Sequence, residues 1–220
     1  MLDILMPIPV KDLPLAVSEF WEDDKLFYEG ALPNIVRDVD VPCRVYVVVD
    51  GGTREDVALL QRYMPTLADW TFDQNQGVYG IPKTLTAMLS FARNQFIAVV
   101  PPSIWLDDPK WFGKMQVVFT KDPHCMMVAG DVPNTSSSTM PPIKLDHKTH
   151  PASPFFLTSL NAARNVLGVS PLDEVDYWRQ YSQRALALGG TRWVASSVRY
   201  GDAHASQETG TLESTPHSDR

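Results

Sequence analysis

The chain has 220 residues, 44% of them hydrophobic, enough to bury one substantial core and near the upper end of a single domain. A formal charge of −7, with 19 lysines and arginines scattered rather than clustered, argues against a general binder of nucleic acid or other polyanions. No apolar run approaches the roughly 20 residues of a membrane span, no signal-peptide pattern opens the chain, and Cys43 and Cys125 sit in apolar surroundings as free thiols do, which together predict a cytoplasmic protein.

In chain order, Leu2 to Ile8 reads as a buried first strand and Pro14 to Tyr28 as a helix with proline at its start. Val41 to Val49 is a stronger, β-branched strand that stops at the turn Asp50-Gly51-Gly52-Thr53. Arg54 to Tyr63 has helical spacing, with Val57, Leu60 and Tyr63 on one side. Trp70 to Asp73 is a short strand, Asn75-Gln76-Gly77 a turn, Lys83 to Asn94 a helix, and Phe96 to Val100 a buried strand. Strands alternating with helices predict a mainly parallel sheet covered on both faces, and such sheets take ligands at the carboxyl ends of their strands.

Further along, Trp111 to Phe119 reads as a helix and Cys125 to Ala129 as a strand. The stretch from Thr135 to His150 reads as a long loop, of a length at which loops carry function or are disordered. Phe155 to Leu167 and Asp173 to Leu188 are predicted helices, and Trp193 to Tyr200 a last strand. Residues 1–206 are therefore assigned to one domain and the polar residues 207–220 to a disordered tail.

In this order the landmarks resemble the family 2-like glycosyltransferases of the GT-A fold. The resemblance implies a Rossmann-type three-layer α/β/α sandwich that binds a nucleotide-diphospho-sugar, with a UDP-sugar as the expected donor. VYVVVDGGTRED is similar to the family's second strand, whose terminal aspartate receives the nucleotide, and this assigns Asp50 to the base or ribose. The same Asp-Gly pair also reads as an ordinary strand-ending turn. NQGVYGIPKTLTAMLSFA resembles the loop and helix beneath the donor, giving Asn75, Gly77 and Gly80 as loop-shaping residues and Lys83 as a phosphate contact, although a plain strand-turn-helix link has the same form. The resemblance further implies donor contacts from Pro7 and Ser103.

After FIAVV the family places an Asp-x-Asp pair that holds Mn2+ or Mg2+ against the diphosphate, because hard cations need oxygen ligands. Here Pro101-Pro102-Ser103 stand in its place. Asp107 and Asp108 are substitute ligand candidates, and they equally form a helix cap before Pro109. LDEVDYWRQYSQRALALGG resembles the segment carrying the general base, which implies Glu174 or Asp176 in that role; acids at a helix start also complement its dipole. TRWVASSVRYGDAHAS resembles the closing strand and terminal histidine, implying that Arg199 or His204 meets the diphosphate, with His204 also a metal-ligand candidate.

The implied activity is inverting sugar transfer to an unknown acceptor hydroxyl, with cationic side chains doing a metal ion's work. The alternative is an inactive GT-A-like module that binds a nucleotide or a sugar-bearing partner. A nucleotidyltransferase ranks last, since ILMPIPVKDLPL lacks a glycine-rich phosphate loop.

Overall fold

The structure is a computed structural model that describes residues 1–13, 19–22, 25–28, 39, 41–62, 69–75, 77–106, 110–131, 141–151, 153–168, 172 and 176–202. Its centre is β1, Leu2–Pro9, nearly every residue of which is buried because neighbouring strands flank it and helices cover both its faces. It runs parallel to β4, Cys43–Asp50, which continues to β5, Asp69–Gln74, at one edge of the sheet. On its other side β1 pairs in parallel with β6, Phe96–Val99, but only from Leu2 to Leu5. Leu5 accepts from the Val100 amide, so odd-numbered residues of β1 turn their backbone groups toward β6. Pro7 therefore falls beyond the end of that ladder, where its missing N–H leaves no strand bond unmade.

Past β6 the sheet is mixed, with three strands running antiparallel to their neighbours. The strand β10, Phe156–Ser159, is antiparallel to β6 and to β8, Cys125–Asp131, and β8 then pairs in parallel with β11, Thr191–Asp202. Two short strands share the outer side of β11. One is β9, Ile143–Lys144, opposite Trp193 and Val194; the other is β7, Ile104–Leu106, opposite Tyr200 to Asp202. The nine-stranded order is β5-β4-β1-β6-β10-β8-β11-β7 with β9 beside β11.

Helices α1, Arg54–Arg62, and α3, Trp111–Lys121, cover one face through Leu60, Trp111, Phe112, Met115 and Val118. Helices α2, Ile81–Met88, α4, Leu160–Leu167, and α5, Tyr177–Ala187, cover the other. This is the expected three-layer α/β/α sandwich with a mostly parallel sheet. No described helix is long and apolar enough to cross a membrane.

Three expectations are corrected. Within 14–28, Glu19–Glu22 and Lys25–Tyr28 form an antiparallel pair, β2 and β3, because FWE and KLFY put β-favouring aromatics into short alternating runs. The predicted helix from Phe155 begins as β10: Phe156 and Leu157 pack into opposite faces of the sheet, and α4 starts only after Ser159, whose Oγ accepts from the Ala162 amide at 3.1 Å. Helix α2 stops at Met88 rather than Asn94, since the buried carboxylate of Asp3 takes the amides of Arg93 and Asn94 at 2.7 Å and draws the chain into β6. The tail from 207 lies outside the described residues, as do residues 135–140 of the expected loop at 135–150, whose described part contains β9.

Candidate functional site

The parallel strands end together at Pro9, Asp50 and Val100, the edge where this architecture forms its crevice. Asp50 closes β4 and is followed by Gly51 in the left-handed region at φ 77°. Its carboxylate is 1% exposed and fully engaged by its own chain. Oδ1 accepts from Asn75 Nδ2 at 2.8 Å, the Tyr79 amide at 2.9 Å and Thr84 Oγ1 at 3.1 Å, and Oδ2 accepts from the Gly80 amide at 2.8 Å. Asn75 also reaches Thr84 Oγ1 at 2.8 Å, and its amide donates to the Val49 carbonyl. Burial raises the Asp50 carboxyl, but the four donors outweigh it and hold the group below the usual carboxylate range.

One charged side chain thus fastens the end of β4 to the segment entering α2. Gly80, at φ 81°, lets the backbone turn its amide onto Oδ2 before Ile81 starts the helix. On the outside of this knot Val78 is 74% and Tyr79 53% exposed. Beside it, between α1 and β5, a cavity of about 330 Å3 is lined by Arg54, Val57, Phe72, Asp73 and Gln74. Gln74 Oε1 is buried without a hydrogen-bond partner among the described residues.

The structure gathers Asp50, Asn75 and Gly80, and adds Thr84, which the sequence reading passed over. A buried hydroxyl beside Leu85 and Met88 on an otherwise apolar helix face was the available signal. Gly77 stands in open space and Lys83 is exposed on the first turn of α2. Pro7 is buried within β1. Pro101, Pro102 and Ser103 are all buried, Ser103 at 4% exposure. Asp176 is exposed, precedes α5 at φ 55°, and shares no described hydrogen bond with the Asp50 knot. The backbone of Arg199 lies in β11 opposite Asp131. Asp107, Asp108, Glu174 and His204 lie outside the described residues.

Mn2+ or Mg2+ does not fit the described part of this edge. The positions after β6 are buried and carry no carboxylate, and among the described residues no three His, Cys, Asp or Glu side chains gather.

Solved structures with this arrangement of elements can now be compared. S. aureus TarS residues 1–349 in complex with UDP-GlcNAc superposes with a TM-score of 0.64 at 13% identity, over 90% of this chain and 57% of that one. A mannosyltransferase from Pyrobaculum calidifontis in complex with GDP-Man and Mn2+ gives 0.62 at 14% identity, over 92% of this chain and 56% of that one. The fold is that of the GT-A glycosyltransferases. The chain spans less than two thirds of the length of either structure. By sequence, no family model and no curated protein matches it.

Proposed function

We propose that the chain is a GT-A, family 2-like glycosyltransferase domain that takes a sugar from a nucleoside-diphosphate donor and passes it to an acceptor hydroxyl. The observation that carries this reading is the Asp50 knot, which fixes the strand-end edge beside the cavity between α1 and β5, in a fold whose solved examples hold UDP, UDP-GlcNAc and GDP-Man.

In this reading Asp50 acts by holding the pocket rather than by touching the base, since its four acceptor bonds are already made. The base enters the cavity between α1 and β5, against Arg54, Phe72, Asp73 and Gln74. Lys83 and Arg199 supply positive charge for the diphosphate, with His204 assigned to the same role by resemblance. Transfer is inverting: Asp176 or Glu174 takes the acceptor proton, the oxygen bonds to the anomeric carbon, and the bond to the diphosphate breaks with its electron pair. No step is routed through a metal ion.

A second reading, a nucleotide-binding module without catalysis, is favoured by the burial of Pro101 to Ser103 where carboxylates stand in the family. Calorimetric titration with UDP and GDP, with and without Mn2+, followed by a search for hydrolysis of the matching nucleotide-sugars, separates the two. Metal-independent binding that weakens in Gln74→Ala and Lys83→Gln, together with turnover, supports the enzyme. Binding without turnover supports the module, and no nucleotide binding sinks both.

A further inference from the structure

On the opposite side of the α2, α4 and α5 layer the chain buries a cation without an acid to hold it. Arg192, the second residue of β11, is 1% exposed. Its Nη1 donates to Ser182 Oγ at 2.8 Å and to His150 Nδ1 at 2.9 Å, and its Nη2 donates to the Asp146 carbonyl. All three acceptors are neutral, and Nε has no hydrogen-bond partner among the described residues. The carboxylate of Asp146 acts on this charge, but it is exposed and already accepts from the amides of Lys148 and Thr149. A cation desolvated this far costs several kcal/mol unless counter-charge reaches it.

A cavity of about 360 Å3 lies in front of it, lined by Lys148, His150, Pro151, Asp176, Trp178 and Arg179. His150 links the two, because its ring lines the cavity while its Nδ1 touches Arg192. An arginine only donates, so Nδ1 is an acceptor and the ring carries its hydrogen on Nε2. That N–H has no acceptor among the described residues. Nor do Lys148 Nζ and the Arg179 guanidinium have an ion-pair partner among them. Asp176 makes no side-chain cap to α5, whose first turn brings Trp178 and Arg179 to the lining. Three donor side chains come from two elements, with a buried charge behind them, and Asp176 is the one acid among the described lining residues. That set suits a tetrahedral oxyanion better than a planar carboxylate.

We propose that this cavity binds a phosphate group, held by Lys148, Arg179 and His150 Nε2–H over the buried Arg192, and that this phosphate belongs to the acceptor. The acceptor assignment rests on the glycosyltransferase reading; the anion site does not. The cavity exceeds one phosphate in size, and Trp178 offers the remainder an apolar face. With Asp176 on the same lining, a hydroxyl next to the phosphate is presented to the carboxylate named above as a candidate base.

The test titrates the full chain with inorganic phosphate, with and without saturating UDP, following amide shifts by NMR. Lys148→Gln and Arg179→Gln are used because both side chains are exposed and their loss leaves the core intact. The expected result is saturable binding, weakened about tenfold by each variant, with UDP affinity unchanged and both ligands bound together. Absence of saturable binding, or binding indifferent to both variants, overturns the site. Displacement of phosphate by UDP also overturns it, since the anion then occupies the donor's diphosphate position. Phosphate binding in a chain that never binds UDP upholds the anion site and removes only its assignment to an acceptor.

Discussion

Nη1 of Arg192 stands 2.9 Å from Nδ1 of His150, and this contact makes that ring nitrogen an acceptor. Burial first, then the Arg192 and Arg179 charges, push its pKa below 6.5. A folded value below the unfolded one means stability that is complete above about pH 6.5 and is lost as pH falls through the folded value. We expect the His150 ring in NMR titrations to stay neutral below the point where a free histidine charges. Arg192→Met is expected to move its pKa back upward. An unchanged pKa in that variant would show that the Arg192 charge has no part in setting it.

Asp50→Asn keeps the size of the side chain and removes its charge. One carboxylate oxygen becomes an N–H donor facing donors, so backbone amides of Tyr79 or Gly80 lose their acceptor. We expect a loss of about 2 to 3 kcal/mol in chemical denaturation at pH 7. The lowered carboxyl also means that the wild type loses this contribution as pH falls below 3.8, so the difference between the two proteins should shrink in acid.

Restoring an acid after β6 will not restore a metal site. Ser103 is 4% exposed, and an aspartate there is a buried charge without a partner. Ser103→Asp should cost about 1 to 3 kcal/mol and leave Mn2+ binding undetectable by calorimetry. A gain of tight Mn2+ binding would show that residues outside the described set complete a site.

The mainly parallel sheet was legible because the apolar runs VYVVV and FIAVV, bounded by turn residues and alternating with helical periods, suit buried strands. The direction of Phe155 to Ser159 was not legible: a short apolar run reads equally as helix or strand, and the cap at Ser159 becomes decisive only once Ala162 is seen to donate to it. At the site, resemblance selected Asp50 and Asn75 as donor contacts, but not the bonds that join Asp50 to Asn75, Tyr79, Gly80 and Thr84. Hydrogen bonds spanning 25 to 34 residues leave no local trace in sequence.

Gly51 and Gly77 should separate sharply under alanine substitution. A Cβ on Gly51 would lie 2.6 Å from Val78 Cγ2 on a backbone at φ 77°, so Gly51→Ala is expected to cost about 1 to 2 kcal/mol. A Cβ on Gly77 meets nothing within 4 Å, and Gly77→Ala should stay within about 0.5 kcal/mol of wild type. Thermal denaturation of the two variants side by side checks the contrast.

Asp122 provides the strongest acid response among the described groups. Burial raises its carboxyl, but donors from Thr191, Trp193, Lys144 and the His124 amide hold it at about 2. Its contribution, about 2 kcal/mol at most, is complete above pH 3.8 and lost as pH falls toward 2. Asp122→Asn should therefore flatten the acid limb of a stability-versus-pH curve measured in urea.

The outer side of β11 is guarded by two fragments rather than by one full strand, with the bulged residues between Ala195 and Arg199 separating them. Bare backbone along a twelve-residue strand is a template for another copy of the chain. Here β9 and β7 take up opposite ends of that template, and neither is long enough to offer a fresh one. Without these two caps the outer side of β11 would stand open to edge-to-edge pairing between copies.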